Sequence, residues 1–255
     1  GTLVFTAANN YSGTTTVNAG TLSAGSGGDG SSAAQAATIG RTGSGVTTLN
    51  AASFITGSGF IQGGLAINGG TLRPGDAAGS SLGTLWVGGD SAFTNGALEL
   101  QVTTPTLNVT ALADRQDPGY AAALSALVGN SALANPIALT QHDHLDVAGT
   151  FDWGTGAGLS TVLNNGYTPT AGDVFNLLDW SRVLNADQVN TGGSFRSGSE
   201  TGTDLALFDL GGSFLWDTSL WASHGLLIVS VPEPSRALLL LGGFFFVLSR
   251  RHRLN

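Results

Sequence analysis

Gly1-Thr2-Leu3-Val4-Phe5, then Asn9-Asn10-Tyr11-Ser12-Gly13, then Thr14-Thr15-Thr16-Val17-Asn18-Ala19-Gly20-Thr21-Leu22, open the chain and decide its fold class. Short runs in which β-branched or apolar residues alternate with polar ones make half-buried strands, and the Asn and Gly between them make turns. The same texture returns at residues 46–49 and 65–72. A Gly-led triplet recurs at Gly20-Thr21-Leu22, Gly70-Thr71-Leu72, Gly83-Thr84-Leu85, Gly96-Ala97-Leu98 and Gly149-Thr150-Phe151. In each, Gly supplies the turn and the following Leu or Phe points inward. Leu72, Leu85 and Leu98 are evenly spaced, but the other intervals differ. One such coil cannot bury its own apolar side, so the pattern predicts coils stacked into a mainly β solenoid.

Residues 1–22 resemble the autotransporter-associated β-strand repeat, and Gly69-Gly70-Thr71-Leu72-Arg73-Pro74-Gly75-Asp76 is similar to a recurrent turn of the same proteins. The resemblance covers residues 1–110 and, more loosely, 140–231. It implies a right-handed parallel β-helix in a long surface protein, and it carries no catalytic residues to transfer.

Residues 111–139 differ in texture. A polar stretch and Pro118-Gly119 precede an Ala- and Leu-rich run in which Tyr120, Leu124, Leu127 and Val128 fall near helical spacing. This predicts a short helical insertion laid over a sheet edge. From residue 140 to 231 strand alternation resumes, with Trp180, Trp216 and Trp221 expected to seal the last coil.

The last segment, 232–255, contains Pro232-Glu233-Pro234, an apolar run over residues 237–248, and Arg250, Arg251 and Arg253. These three parts resemble the PEP-CTERM sorting signal of Gram-negative bacteria. The resemblance implies recognition by an exosortase-like membrane enzyme and a C-terminal hydrophobic helix in the inner membrane. The arginines would hold the end on the cytoplasmic side, and the body would then pass to the cell surface or extracellular matrix. The apolar run is short, about 18 Å as a helix against roughly 30 Å of hydrocarbon core.

Composition fits a chain outside the cytoplasm. The 255 residues include 39 Gly, no Cys and no Met, and all nine cationic side chains are Arg. A disulfide framework and thiolate metal sites are excluded. Sixteen acids and five arginines precede Pro232, a net −11, while the tail has one acid and four arginines, a net +3. An acidic body without Lys is unsuited to nucleic acid, whose phosphates need concentrated cations. A strand begins at the first residue with no initiator Met or signal peptide before it, which leads us to expect a truncated or processed N-terminus.

Three motifs imitate active sites. Gly25-Ser26-Gly27-Gly28-Asp29-Gly30 fits a dinucleotide-binding pattern but lacks the acid that would hold a ribose. Gly27-Gly28-Asp29-Gly30 is also a single copy of a calcium turn that works in tandem. Gly79-Ser80-Ser81-Leu82-Gly83 fits a nucleophile elbow, yet a strand follows Ser81 where a helix is required.

His142, Asp143, His144 and Asp146 are the densest set of candidate ligands. In a strand His142, His144 and Asp146 share one face that could bind a divalent cation. With Leu145 and Val147 turned inward, the plainer expectation is a solvated strand face and no metal or cofactor.

The expected protein is a noncatalytic, exported structural or adhesion protein, with exopolysaccharide as a candidate partner. The alternative is a polysaccharide-binding or polysaccharide-degrading β-helix enzyme, which would need two carboxylates within about 10 Å in one groove.

Overall fold

The computed structural model describes residues 1–25, 40–75, 82–130, 133, 141–154, 158–192, 194–195 and 204–231. Among the described residues, thirteen strands form one sheet in which every strand pair is parallel. Its registers run along three ladders. Leu3, Leu22, Ile55, Leu72 and Leu98 are successive partners on the first, continuing to Ser160 and Leu205. Val17, Leu49, Ile67 and Phe93 are partners on the second. The third passes from Ala8 through Arg41, Phe60, Trp86 and Asp146 to Asp179.

Inward positions of all three ladders share one core. Leu22, Leu49, Ile55, Ile61, Ile67, Leu72, Val87, Phe93, Leu98 and Val147 are all buried in it. Full burial stabilises by about 1.5–3 kcal/mol per large apolar side chain, so the inward apolar residues along the ladders hold successive strands together.

The ladders also explain the uneven spacing of the triplets. Leu22, Leu72 and Leu98 belong to the first ladder, whereas Leu85 pairs with Leu145 on the third and Phe151 pairs with Ser91 on the second. The even interval through Leu85 therefore mixes two ladders.

The strands Leu65–Pro74 and Ser91–Val102 each serve two ladders, bending where Gly69 has φ 104° and Gly96 has φ 138°. Only Gly takes such angles without strain. At another corner, a Cβ on Gly40 would lie 1.6 Å from the Phe5 carbonyl oxygen, so adjacent backbones touch where a side chain would stand.

A second sheet, of five strands among the described residues, is antiparallel, in the order Leu107–Asn108, Asp173–Asn176, Leu226–Ser230, Leu215–Asp217, Ser194–Phe195. Residues 140–231 thus do more than continue the coils. Leu178–Leu184 and Leu205–Leu207 join the parallel sheet, and the strands around them reverse direction to close over it. Alternation splits this second sheet between two cores: Phe175, Leu227 and Val229 face the main core, while Val174, Leu226 and Ile228 face away.

Helix α1, Tyr120–Val128, and the turn Thr110–Leu112 cover that outer side. Leu112, Tyr120, Leu127 and Leu133 pack on Val174, Leu226 and Ile228. The helix is shorter than its Ala- and Leu-rich run, and it lies on a sheet face rather than over an edge. Val128, expected in the apolar stripe, is 45% exposed. Asp117 accepts from the Gly119 N–H at 2.6 Å, closing a turn just ahead of the helix.

Helix α2, Trp221–His224, ends at Gly225 with φ 68°. The hydrophobic segment 237–248 lies outside the described residues. Among the described residues, no helix is long and apolar enough to cross a membrane.

Candidate functional site

The strands Asp173–Asn176 and Leu178–Leu184 belong to different sheets and are separated by one residue, Leu177. Its N–H donates to Gly225 O, and its carbonyl accepts from Leu145 N, both at 3.0 Å. The crossing leaves a cavity of about 170 Å³ between α1, α2 and the two sheets. Asn176, Asp179, Ser223 and His224 give it polar groups, while Leu133, Leu178, Trp180 and Leu226 give it apolar walls.

Asn176 is 1% exposed. Its amide nitrogen donates to Leu133 O at 2.9 Å and to Asp179 Oδ2 at 3.0 Å, which aims its Oδ1 the other way; among the described residues that oxygen has no hydrogen-bond partner. His224 Nδ1 is 2.7 Å from Ser223 Oγ, and burial lowers the imidazole's pKa. The ring of Trp180 is stacked on Phe151 at 5.3 Å.

Behind this cavity lie the ligand candidates. His142, Asp143 and His144 are buried, at 1%, 1% and 4% exposure, and only Asp146 is partly open, so the expected solvated face does not exist. Leu145 and Val147 do point into the core. The expectation missed that Phe175 packs against His142, ring centroids 6.1 Å apart.

His142 Nδ1 is 3.0 Å from Asp143 O and Nε2 is 2.8 Å from Thr106 Oγ1, which in turn accepts from Asn176 N at 2.9 Å. A carbonyl can only accept, so the neutral Nδ1–H tautomer satisfies the whole chain. Burial lowers the His142 pKa to about 3.

His144 Nε2 lies 3.3 Å from Asp179 Oδ2, within ion-pair reach but without hydrogen-bond alignment. Asp179 is also the cross-strand partner of Asp146. Burial raises the Asp146 pKa, Asp179 adds to the rise, and His144 opposes it. Two carboxylates therefore stand side by side on the third ladder, a pairing invisible without the register. His142, His144 and Asp146 do not converge: among the described residues, no three His, Cys, Asp or Glu side chains form a group that could hold a metal ion.

Other acids serve the backbone. Asp143 accepts from Gly83 N at 3.0 Å and Gln101 N at 2.9 Å, and Asp152 and Asp209 accept from Gly154 N and Gly211 N, each at 2.8 Å. Asp173 and Asp217 take the hydroxyls of Tyr167 and Tyr120, and both phenol pKa values rise through burial first and the carboxylate second.

Trp216 and Trp221 are 0% exposed, so neither indole is a surface platform for sugar, while Trp180 lines the cavity. Ser81, Gly27-Gly28-Asp29-Gly30, Pro232, Glu233, Pro234, Arg250, Arg251 and Arg253 lie outside the described residues.

The family described as passenger-associated-transport-repeat matches residues 1–24. No curated protein and no solved structure matches the chain. The matched residues include the strands Thr2–Val4, Thr15–Val17 and Gly20–Ser23, which begin two of the parallel ladders. By this match the N-terminal stretch is similar to a repeat of autotransporter-type passengers, which are exported surface proteins.

Proposed function

We propose that the chain is a noncatalytic structural or adhesion protein of the cell surface or extracellular matrix, with a body built as a right-handed parallel β-solenoid. The observation that carries this reading is the match of the passenger repeat to residues 1–24, whose strands open two of the parallel ladders. An acidic, Gly-rich body without Cys agrees with it. The finer part concerns delivery: Pro232-Glu233-Pro234 is the recognition motif for an exosortase-like enzyme, and residues 237–248 tether the precursor in the inner membrane. Arg250, Arg251 and Arg253 fix the orientation of that tether.

Surface labelling of the native host with a membrane-impermeant reagent, before and after Glu233→Ala, tests both levels. Wild type is expected at the surface, and the variant unprocessed in the inner membrane. Unchanged surface arrival of Glu233→Ala would overturn the sorting role alone; wild type confined to the cytosol would overturn the whole reading.

One observation favours a second reading, a polysaccharide-degrading enzyme: the cross-strand pair Asp146 and Asp179 meets the two-carboxylate requirement in part. Release of reducing ends from host exopolysaccharide, abolished by Asp146→Asn, would establish it over the structural role.

A further inference from the structure

We infer that Asn10 is a modification site, the acceptor of a covalently attached sugar that an asparagine glycosyltransferase of the host transfers from a glycosyl diphosphate. The inference goes beyond the proposed structural role and stands on the chemistry of one loop.

The sequence holds two Asn-x-Ser/Thr triplets without a central Pro, Asn10-Tyr11-Ser12 and Asn108-Val109-Thr110. Such a triplet offers an amide nitrogen as the acceptor and, two residues on, a hydroxyl by which a transferase can hold it. Sequence alone does not separate the two; their hydrogen bonds do.

Asn10 lies in the connection between the strands Thr2–Val4 and Thr15–Val17, and residues 10–14 are all exposed. Its carboxamide is oriented through the oxygen. Oδ1 accepts from Arg41 Nη2 at 3.0 Å, and among the described residues Nδ2 donates to no acceptor. Tyr11 is anchored twice, its hydroxyl 2.6 Å from Thr15 Oγ1 and its carbonyl accepting from Ser44 N at 3.0 Å. The loop is thus pinned at its middle residue, with Asn10 and Ser12 exposed on either side. The neighbouring Asn9 shows the contrast: its Nδ2 donates to Arg41 O at 2.8 Å and to Ala7 O at 3.2 Å.

Asn108 is committed in the same way as Asn9. Its Nδ2 donates to Asp173 Oδ1 at 2.8 Å and to Ala171 O at 3.1 Å, so a sugar on that nitrogen would replace a hydrogen already in use. One of the two acceptors is a carboxylate, which makes that bond the more costly to give up. The backbone is held as well, because Asn108 pairs with Asp173 across the antiparallel sheet and Val109 N donates to Gly172 O at 2.8 Å. A transferase that needs the triplet drawn out of the surface finds only the first one available.

The transfer balances without an oxidant. Nδ2 of Asn10 forms a bond to the anomeric carbon of the sugar, the bond from that carbon to the diphosphate oxygen breaks with its electron pair leaving on the diphosphate, and Nδ2 releases one proton.

The test uses the full chain isolated from its native host, as wild type and as Asn10→Gln, Ser12→Ala and Thr110→Ala. Peptide mass spectrometry with electron-transfer fragmentation keeps a sugar on its residue and reads Asn10 and Asn108 separately. In wild type a sugar mass is expected on Asn10 and none on Asn108. Asn10→Gln and Ser12→Ala are expected to lose it, and Thr110→Ala to keep it. Ser12→Ala removes one exposed hydroxyl and leaves the acceptor in place, so its loss of sugar marks recognition of the triplet. Bare Asn10 in wild type, sugar retained on Asn10 in Ser12→Ala, or sugar on Asn108 would overturn the inference. The readout is a mass on one residue, so it is separate from any failure of surface export.

Discussion

The indole N–H of Trp153 donates to the carbonyl oxygen of Ala222 at 2.9 Å, tying the parallel sheet to α2 and through it to the antiparallel sheet. Trp153 is 0% exposed, with Phe93, Phe151, Trp180 and Trp221 all within 6.4 Å between ring centroids.

Replacing Trp153 tests that junction. Trp153→Phe keeps a ring but leaves the carbonyl unpaired, at a cost of about 1–3 kcal/mol. Trp153→Ala adds a cavity and is expected to lose about 3–5 kcal/mol. Urea denaturation measures both; a change below about 0.5 kcal/mol for Trp153→Phe would show that the bond does not hold the sheets together.

His142 makes stability depend on pH with a definite sign. Folded, it stays unprotonated down to about pH 3; unfolded, it takes a proton near pH 6.5. Between those values the unfolded state binds more protons. The contribution is therefore complete above pH 6.5 and lost as pH falls, at up to about 1.4 kcal/mol per pH unit. His224, also lowered by burial, acts in the same sense, and Asp146, raised by burial, acts in the opposite one. The difference between wild type and His142→Gln isolates the group. Wild type should lose about 2–3 kcal/mol more than the variant between pH 6.5 and 4.5, measured by urea midpoints. Parallel curves would refute the assignment.

Periodicity made the parallel body legible, because inward Leu and Ile recur on every turn and Gly marks the bends at 69 and 96. The antiparallel sheet was less so. Phe175 and Val174 are both buried, each against a different core, and such a two-sided strand reads as a plain apolar run. The site was hidden for a related reason. Asn176, Asp179 and His224 are ordinary polar residues in sequence, and only the Leu177 crossing brings them together. The His142 region was noticed for its composition, but its burial depends on Phe175, which no local spacing reveals.

Close backbone approach at the corners predicts a severe effect from a small change. A Cβ at Gly40 would sit 1.6 Å from Phe5 O and 2.7 Å from the Cα of Gly25. Neither neighbour is the end of a flexible side chain, so the backbone itself must move. Gly40→Ala is expected to destabilise by about 1–3 kcal/mol. Gly129→Ala, with nothing within 4 Å, serves as the comparison and should change little. Equal urea midpoints for both variants would contradict the tight corner.

Asp143 supplies the last test. Its two carboxylate oxygens accept from Gly83 N and Gln101 N, binding the start of the strand Thr84–Val87 to the end of the strand Ser91–Val102 from a position 1% exposed. Hydrogen bonds to a charged group contribute about 1.5–3 kcal/mol each, and truncation would leave two backbone donors without an acceptor. Asp143→Ala is therefore expected to cost at least about 2 kcal/mol, whereas Asp143→Asn retains one acceptor oxygen and should cost less. Amide hydrogen exchange locates the effect: faster exchange at Gly83 and Gln101 in Asp143→Ala marks the lost bonds. Protection equal to wild type at both amides would mean that the carboxylate is not their acceptor in solution.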